Sequence, residues 1–146
     1  MAAMCTLLPA QISPVLTINT PSKASVKRNQ ALTSAIEIQL RNGFHVNSDK
    51  PADRYLIPLK LTWNPGVAEA TEVVYPKPTM EKLEFSPQPV SIFSGDFKAQ
   101  TTFKILPNAP LGEQLITGKL RYQACNNREC LPPRTVEVKI PVDVRN

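Results

Sequence analysis

Two thiols stand close together near the end of the chain, in the run Cys125-Asn126-Asn127-Arg128-Glu129-Cys130. Four intervening residues let their sulfurs meet across a turn without large backbone movement, so the chemistry on offer is disulfide formation and exchange. A disulfide in so small a ring removes little chain entropy and stabilises less than a long-range bridge. The polar residues between the cysteines imply exposure, and Arg128 favours a thiolate over a thiol. Exposed disulfides tend to be of the labile, exchanging kind. A structural staple in a secreted sandwich fits the same spacing, and the spacing alone leaves both readings open.

Other chemistry has less support. Cys125, Cys130 and His45 supply at most three zinc ligands, and there is no second cysteine pair. No metal or other cofactor is therefore expected. His45 has no serine or carboxylate placed by a motif, so a hydrolytic triad is not indicated, and it reads as a surface or strand-end histidine. The third cysteine, Cys5, lies in an apolar, small-residue stretch and reads as a leader residue without function.

The elements that must position the pair are strands. Before it, Ile116, Gly118, Leu120, Tyr122 and Ala124 alternate with Thr117, Lys119, Arg121 and Gln123. After it, Val136, Val138, Ile140, Val142 and Val144 alternate with Glu137, Lys139 and Asp143. Successive side chains on a strand point to opposite faces, so both runs predict half-buried strands joined by the cysteine connection. Earlier in the chain, Gln11 to Asn19 predicts an edge strand and Thr20 to Gln30 a loop. Ala31 to Arg41 places Ile36, Ile38 and Leu40 on one face, and Asn42-Gly43 is a turn signal. Phe44 to Arg54 reads as a polar connecting segment. Tyr55 to Trp63 alternates with Ile57, Leu59, Leu61 and Trp63 on one face. Short strands follow at Thr71 to Tyr75 and Val90 to Phe93, then a longer one at Asp96 to Ile105.

The segment from Pro76 to Pro89 holds Pro76, Pro78, Pro87 and Pro89 together with Met80, Leu83 and Phe85. A connection that long in a compact domain usually serves as a lid or binding loop. We expect it to lay an aromatic or proline side chain over the cysteines, with Phe85 and Phe93 as the candidates. About eight strands at this spacing predict an all-β, immunoglobulin-like antiparallel sandwich. Trp63, Leu61, Phe103, Leu120, Val138 and Ile140 are its expected core.

The whole chain has 146 residues, enough for one domain that needs no staple in order to fold. Fifteen prolines against five glycines fit short strands with stiff connections. The net charge of +5 is dispersed without a Lys/Arg run, which argues against nucleic acid as a partner. No stretch approaches the ~20 apolar residues of a membrane span, so insertion by this chain is not expected. Residues 1–12 read as the remnant of a signal peptide or a disordered leader, and residues 13–146 as the domain, which implies export.

The motifs around the pair resemble a known family. Tyr122-Gln123-Ala124-Cys125, then Cys130, then Pro132-Pro133 are similar to the signature of the N-terminal periplasmic domain of the thiol:disulfide interchange protein DsbD. Gly43-Phe44-His45-Val46-Asn47-Ser48 and Leu59-Lys60-Leu61-Thr62-Trp63 resemble members of the wider family, and the likeness runs from about Val15 to Val144. It implies an immunoglobulin-like sandwich with Cys125 and Cys130 as a redox pair at one end. It also implies a periplasmic relay without a bound cofactor. A membrane-embedded reductase domain reduces the pair, which passes electrons to thioredoxin-like oxidoreductases serving disulfide repair or cytochrome maturation. In such a domain a cap loop shields the pair, and the 76–93 segment corresponds to it by order along the chain. The spacing between the cysteines is slightly shorter here than in the best-known members. The alternative is a secreted immunoglobulin-like binding module with a structural hairpin disulfide.

Overall fold

A computed structural model describes residues 14–146. The leader reading of residues 1–12, Cys5 and the start of the first predicted strand lie outside the described residues.

The described residues form twelve strands: β1 (Leu16–Asn19), β2 (Ala24–Lys27), β3 (Ala31–Leu40), β4 (His45–Asn47), β5 (Lys60–Trp63), β6 (Ala68–Val74), β7 (Thr79–Glu81), β8 (Val90–Ser94), β9 (Asp96–Ile105), β10 (Gly112–Tyr122), β11 (Ala124–Cys125) and β12 (Arg134–Arg145). They form three four-stranded sheets, ordered β1-β3-β9-β6, β2-β12-β10-β5 and β11-β4-β8-β7. The pairings are antiparallel except that β2 runs parallel to the end of β12, with Ala24 opposite Val142 and Lys27 opposite Arg145.

Alternation makes the core. On β3 and β9, Ile36, Ile38, Leu40, Ala99, Phe103 and Ile105 turn inward, while on β10 and β12 Ile116, Leu120, Val138, Ile140, Val142 and Val144 do the same. The inward sets of the first two sheets merge into one apolar cluster, the arrangement of a β-sandwich. Val46, Phe93 and Ala124 of the third sheet join that cluster. Of the expected core residues, Leu61, Phe103, Leu120, Val138 and Ile140 are buried, and Trp63 packs half-buried against them. The Trp63 ring meets Phe103 edge-on at 4.9 Å, and its Nε1 donates to Thr101 Oγ1 at 3.0 Å. An indole needs such an acceptor once it leaves water.

The long hairpin of β10 and β12 carries the cysteine connection at its end. Its register runs without a break from Gly112 opposite Val144 to Tyr122 opposite Arg134. On the other side β10 pairs with β5, with Gly118 opposite Trp63. A Cβ at Gly118 would lie 2.6 Å from Trp63 Cε3 and 2.6 Å from the Thr62 carbonyl oxygen. The missing side chain is what lets the indole lie flat across β10. Gly118→Ala is expected to push Trp63 off its place and to cost roughly 1–3 kcal/mol, as overpacking does. Chemical denaturation followed by the fluorescence of this single tryptophan would measure it.

Four expectations need correction. Thr20 to Gln30 is not all loop, because Ala24–Lys27 finds an edge beside β12. The polar segment from Phe44 contains β4, in which His45, Val46 and Asn47 are all buried, as is Ser48 after it. The strand predicted from Tyr55 begins only at Lys60, and Tyr55 is 76% exposed. The proline-rich connection contains the short edge strand β7, paired with β8.

Candidate functional site

Cys125 and Cys130 are joined by a disulfide, and a β-bridge links their backbones with Cα atoms 3.9 Å apart. The sequence builds this small loop from its own polar groups. Leu131 N donates to Ala124 O at 2.8 Å, and Asn126 N donates to Glu129 O at 2.9 Å. The Asn126 side chain closes the tip, its Oδ1 accepting from the amides of Arg128 and Glu129, each at 2.8 Å. Asparagine suits such a turn because its short side chain reaches the backbone two and three residues on. Asn127, Arg128 and Glu129 point into solvent.

The two sulfurs differ in access. Cys125 is fully buried at the end of β11, while Cys130 is half-buried on the return. Leu131 packs against the core, which anchors that return, and Pro132 and Pro133 are exposed. Cys130 therefore keeps some exposure to solvent while Cys125 is held inside.

Register identifies the neighbours of the pair. Across β11, β4 and β8, Ala124 stands beside Val46 and Val46 beside Phe93, while Cys125 stands beside His45 and His45 beside Ser94. Directly opposed residues share a face of the sheet. Ala124, Val46 and Phe93 face the main core, so Cys125, His45 and Ser94 lie on the outer face. The turn that brings His45 there needs Gly43, whose φ of +86° suits glycine, and Phe44 N closes it on Arg41 O at 3.1 Å.

Gln123, in the signature run, clamps the connection to the rest of the domain. Its Oε1 accepts from Asn47 Nδ2 at 3.2 Å and from Ile57 N at 3.3 Å, and its Nε2 donates to Leu131 O at 3.4 Å. Asn47 Nδ2 also donates to Ile57 O at 3.0 Å. These bonds tie both limbs of the cysteine loop to β4 and to the strand-free segment before β5. Neither Gln123 nor Asn47 stands out by composition. Their presence in the two stretches that resemble the family is the one signal that could have singled them out.

The lid candidates part company. Phe93 is buried in the main core, its ring 5.0 Å from that of Phe97. Phe85 is 37% exposed and lines a surface hollow with Lys82, Leu83, Glu84, Ser86, Pro87 and Asn127 of the cysteine loop. Leu83 of the same segment packs with Val90 and Ile92 in a second, smaller cluster. Val90, Ile92 and Ser94 alternate onto one face of β8, the face that carries Cys125 and His45. The proline-rich connection thus rests on the outer face of the sheet that holds the pair.

His45 is not on the surface. It is 6% exposed, and its Nε2 has no hydrogen-bond partner. Burial lowers its pKa below the usual histidine value, and the nearby Glu81 carboxylate offsets part of that. The folded chain therefore holds a neutral imidazole that the unfolded chain protonates below about pH 6.5. The stability linked to this group is present above that pH and lost as pH falls toward and through the lowered folded value. The slope is at most about 1.4 kcal/mol per pH unit for one proton. Urea unfolding of the wild type and His45→Gln across pH 5 to 8 would show this dependence in the first and its absence in the second. Among the described residues no three His, Cys, Asp or Glu side chains converge as a metal site.

Comparison with known proteins gives three findings. The family model for "Thiol:disulfide interchange protein DsbD, N-terminal" matches residues 15–141. No curated protein matches the sequence. Among solved structures, the N-terminal periplasmic domain of ScsB from Proteus mirabilis superposes with a TM-score of 0.55 at 11% identity, covering 88% of this chain and 45% of that one. The cohesin module of a family 33 glycoside hydrolase from Clostridium perfringens gives 0.52 at 11% identity, covering 91% and 100%. At that identity the likeness is one of fold, and it bears out the immunoglobulin-like sandwich. The chain spans less than half the length of the ScsB domain it resembles.

Proposed function

The chain belongs to the DsbD N-terminal family, and on that premise we propose that it is a thiol–disulfide exchange domain working through Cys125 and Cys130. The observation that carries the reading is the asymmetry of the pair. A buried Cys125 is bonded to a partly exposed Cys130 at the tip of a hairpin. Exchange requires a thiolate to attack one sulfur in line while the other leaves, so a single reachable sulfur suffices. A fold stapled by its disulfide would gain more from a bridge between distant segments than from one within a loop this small.

The proposal extends to location and partners. The domain works in the periplasm, receives electrons from a membrane-embedded reductase domain and passes them to thioredoxin-like oxidoreductases. Cys130 is the sulfur that partners meet. No helix among the described residues is long and apolar enough to cross a membrane. Trapping tests it. Cys125→Ser and Cys130→Ser are each incubated with a thioredoxin-like partner that lacks its resolving cysteine. A stable covalent complex formed by Cys125→Ser, through Cys130, and not by Cys130→Ser supports the assignment. A complex formed only by Cys130→Ser reverses the order of the two sulfurs, and none from either variant returns the pair to a structural staple in a binding module.

The 76–93 segment fits the same proposal as a cover that limits access by small thiols. Phe85 is the residue to test, since it lines the same hollow as Asn127 of the cysteine loop. Phe85→Ala is expected to speed reduction of the disulfide by dithiothreitol several-fold, whereas Phe93→Ala acts on stability through the core. Equal reduction rates in Phe85→Ala and wild type would remove the lid from the account.

A further inference from the structure

We propose that His45 is the proton acceptor that makes the buried Cys125 a nucleophile in the second half of the exchange. This rests on the exchange reading and adds a residue that the reading does not itself require.

The argument starts from what burial does to a thiol. Cys125 is fully buried, and an apolar setting disfavours the thiolate. Yet after Cys130 has attacked a disulfide, Cys125 must become a thiolate to finish the reaction. A base has to stand next to it inside the fold. His45 is its direct cross-strand partner. Opposed residues in an antiparallel pair have Cβ atoms about 4.5–5.5 Å apart, within reach of an imidazole and a thiol.

Three features fit His45 to that role. It is buried, as Cys125 is. Its Nε2 is left without a hydrogen-bond partner. An unpaired buried polar atom costs stability, and such atoms call for an explanation beyond packing. It is also held neutral near pH 7, the form that accepts a proton. The groups around it are few. Glu81 of β7 and Arg41 line the same polar hollow, Ser94 stands on the β8 side and Cys125 on the β11 side. Glu81 favours the imidazolium that forms when the proton arrives.

The steps balance as follows. The Cys130 thiolate attacks one sulfur of a substrate disulfide, a new S–S bond forms and the first substrate thiolate leaves. The Cys125 thiol then gives its proton to His45. The resulting thiolate attacks Cys130 Sγ, the Cys125–Cys130 bond forms and the second substrate thiolate leaves. Two electrons pass from the domain to the substrate disulfide, and the imidazolium returns its proton to water or to the departing thiolate. In reverse, the imidazolium protonates Cys125 as the disulfide opens.

The test uses oxidised glutathione as the substrate disulfide, so it needs no protein partner, and a failed trapping experiment would leave it intact. Reduced wild type and His45→Gln are mixed with oxidised glutathione, quenched with acid at intervals and weighed by mass spectrometry. We expect the first step, addition of one glutathione, to proceed at the same rate in both. The second step should slow by at least about a hundredfold in His45→Gln at pH 7, the low end of the range for loss of a general base. The mixed disulfide should then accumulate, and the deficit should close toward pH 9 as the thiol ionises unaided. Equal second-step rates with the same pH profile would overturn the proposal. A second measurement needs no variant. The chain has one histidine, so its imidazole resonances are unambiguous in NMR. Their titration should differ between the oxidised and reduced protein, and an identical titration in both states would contradict a proton shared with Cys125.

Discussion

Cys130→Ser is expected to abolish exchange with protein partners and small disulfides alike while leaving the sandwich folded. Both halves of this expectation follow from the geometry. Cys130 is the partly exposed cysteine, and the remaining one, Cys125, is fully buried, so no accessible thiol is left to attack. The cost to folding is limited because the bridge closes a loop with only four residues inside it. The loop-closure relation gives about 2 kcal/mol for a ring of that size. The turn within it keeps its own bonds, from Asn126 Oδ1 to two amides and from Leu131 N to Ala124 O. Thermal unfolding by circular dichroism, run beside an insulin-reduction assay with a thioredoxin-like partner, would separate the two effects. Loss of the fold together with activity would make the bridge a staple.

Phe103→Ala is expected to be the most damaging single change in the scaffold, at about 3–5 kcal/mol. Phe103 is 1% exposed, opposes Leu32 on one side and Ala70 on the other, and meets the Trp63 ring edge-on. Truncation would leave a cavity between two sheets that cannot close on it without moving β9. Since whole domains are stable by only about 5–15 kcal/mol, that loss is a large share of the total. The midpoint of urea unfolding, followed by Trp63 fluorescence, reads the effect directly. A shift equivalent to under 1 kcal/mol would mean the core is not centred where the burial pattern puts it.

Much of this fold is legible in the amino-acid order, and the reasons for the exceptions are physical. β3, β9, β10 and β12 each have one face on the core and one in solvent, so their residues alternate and the strands declare themselves. β4 does not, because both of its faces are covered: Val46 turns to the main core while His45 and Asn47 turn to the outer face. A strand buried on two sides has no polar-out pattern, and here two of its three residues are polar, Asn47 finding its partner Gln123 76 positions along the chain. β2 and β7 are short edge strands set by the neighbour they find and not by their own pattern. The cysteine pair is legible as a pair, and what places Cys125 inside is the strand it ends, while Cys130 lies on the return. That His45 stands beside Cys125 could not be read, since 80 positions separate them and only the register of β11 on β4 brings them together. The same limit separates Phe85 from Phe93. Both lie in or beside a proline-rich stretch, but alternation along β8 sends Phe93 into the core.

The claim at the centre of the account is that the Cys125–Cys130 disulfide exchanges, and the reduction potential of the pair tests it most directly. Equilibration against glutathione or dithiothreitol buffers, with the reduced and oxidised fractions counted after alkylation, yields the value. The account predicts a potential above about −300 mV, in the range where thioredoxin-like proteins can trade electrons with it. A value well below about −300 mV would mark a structural bond that resists exchange and would contradict the account.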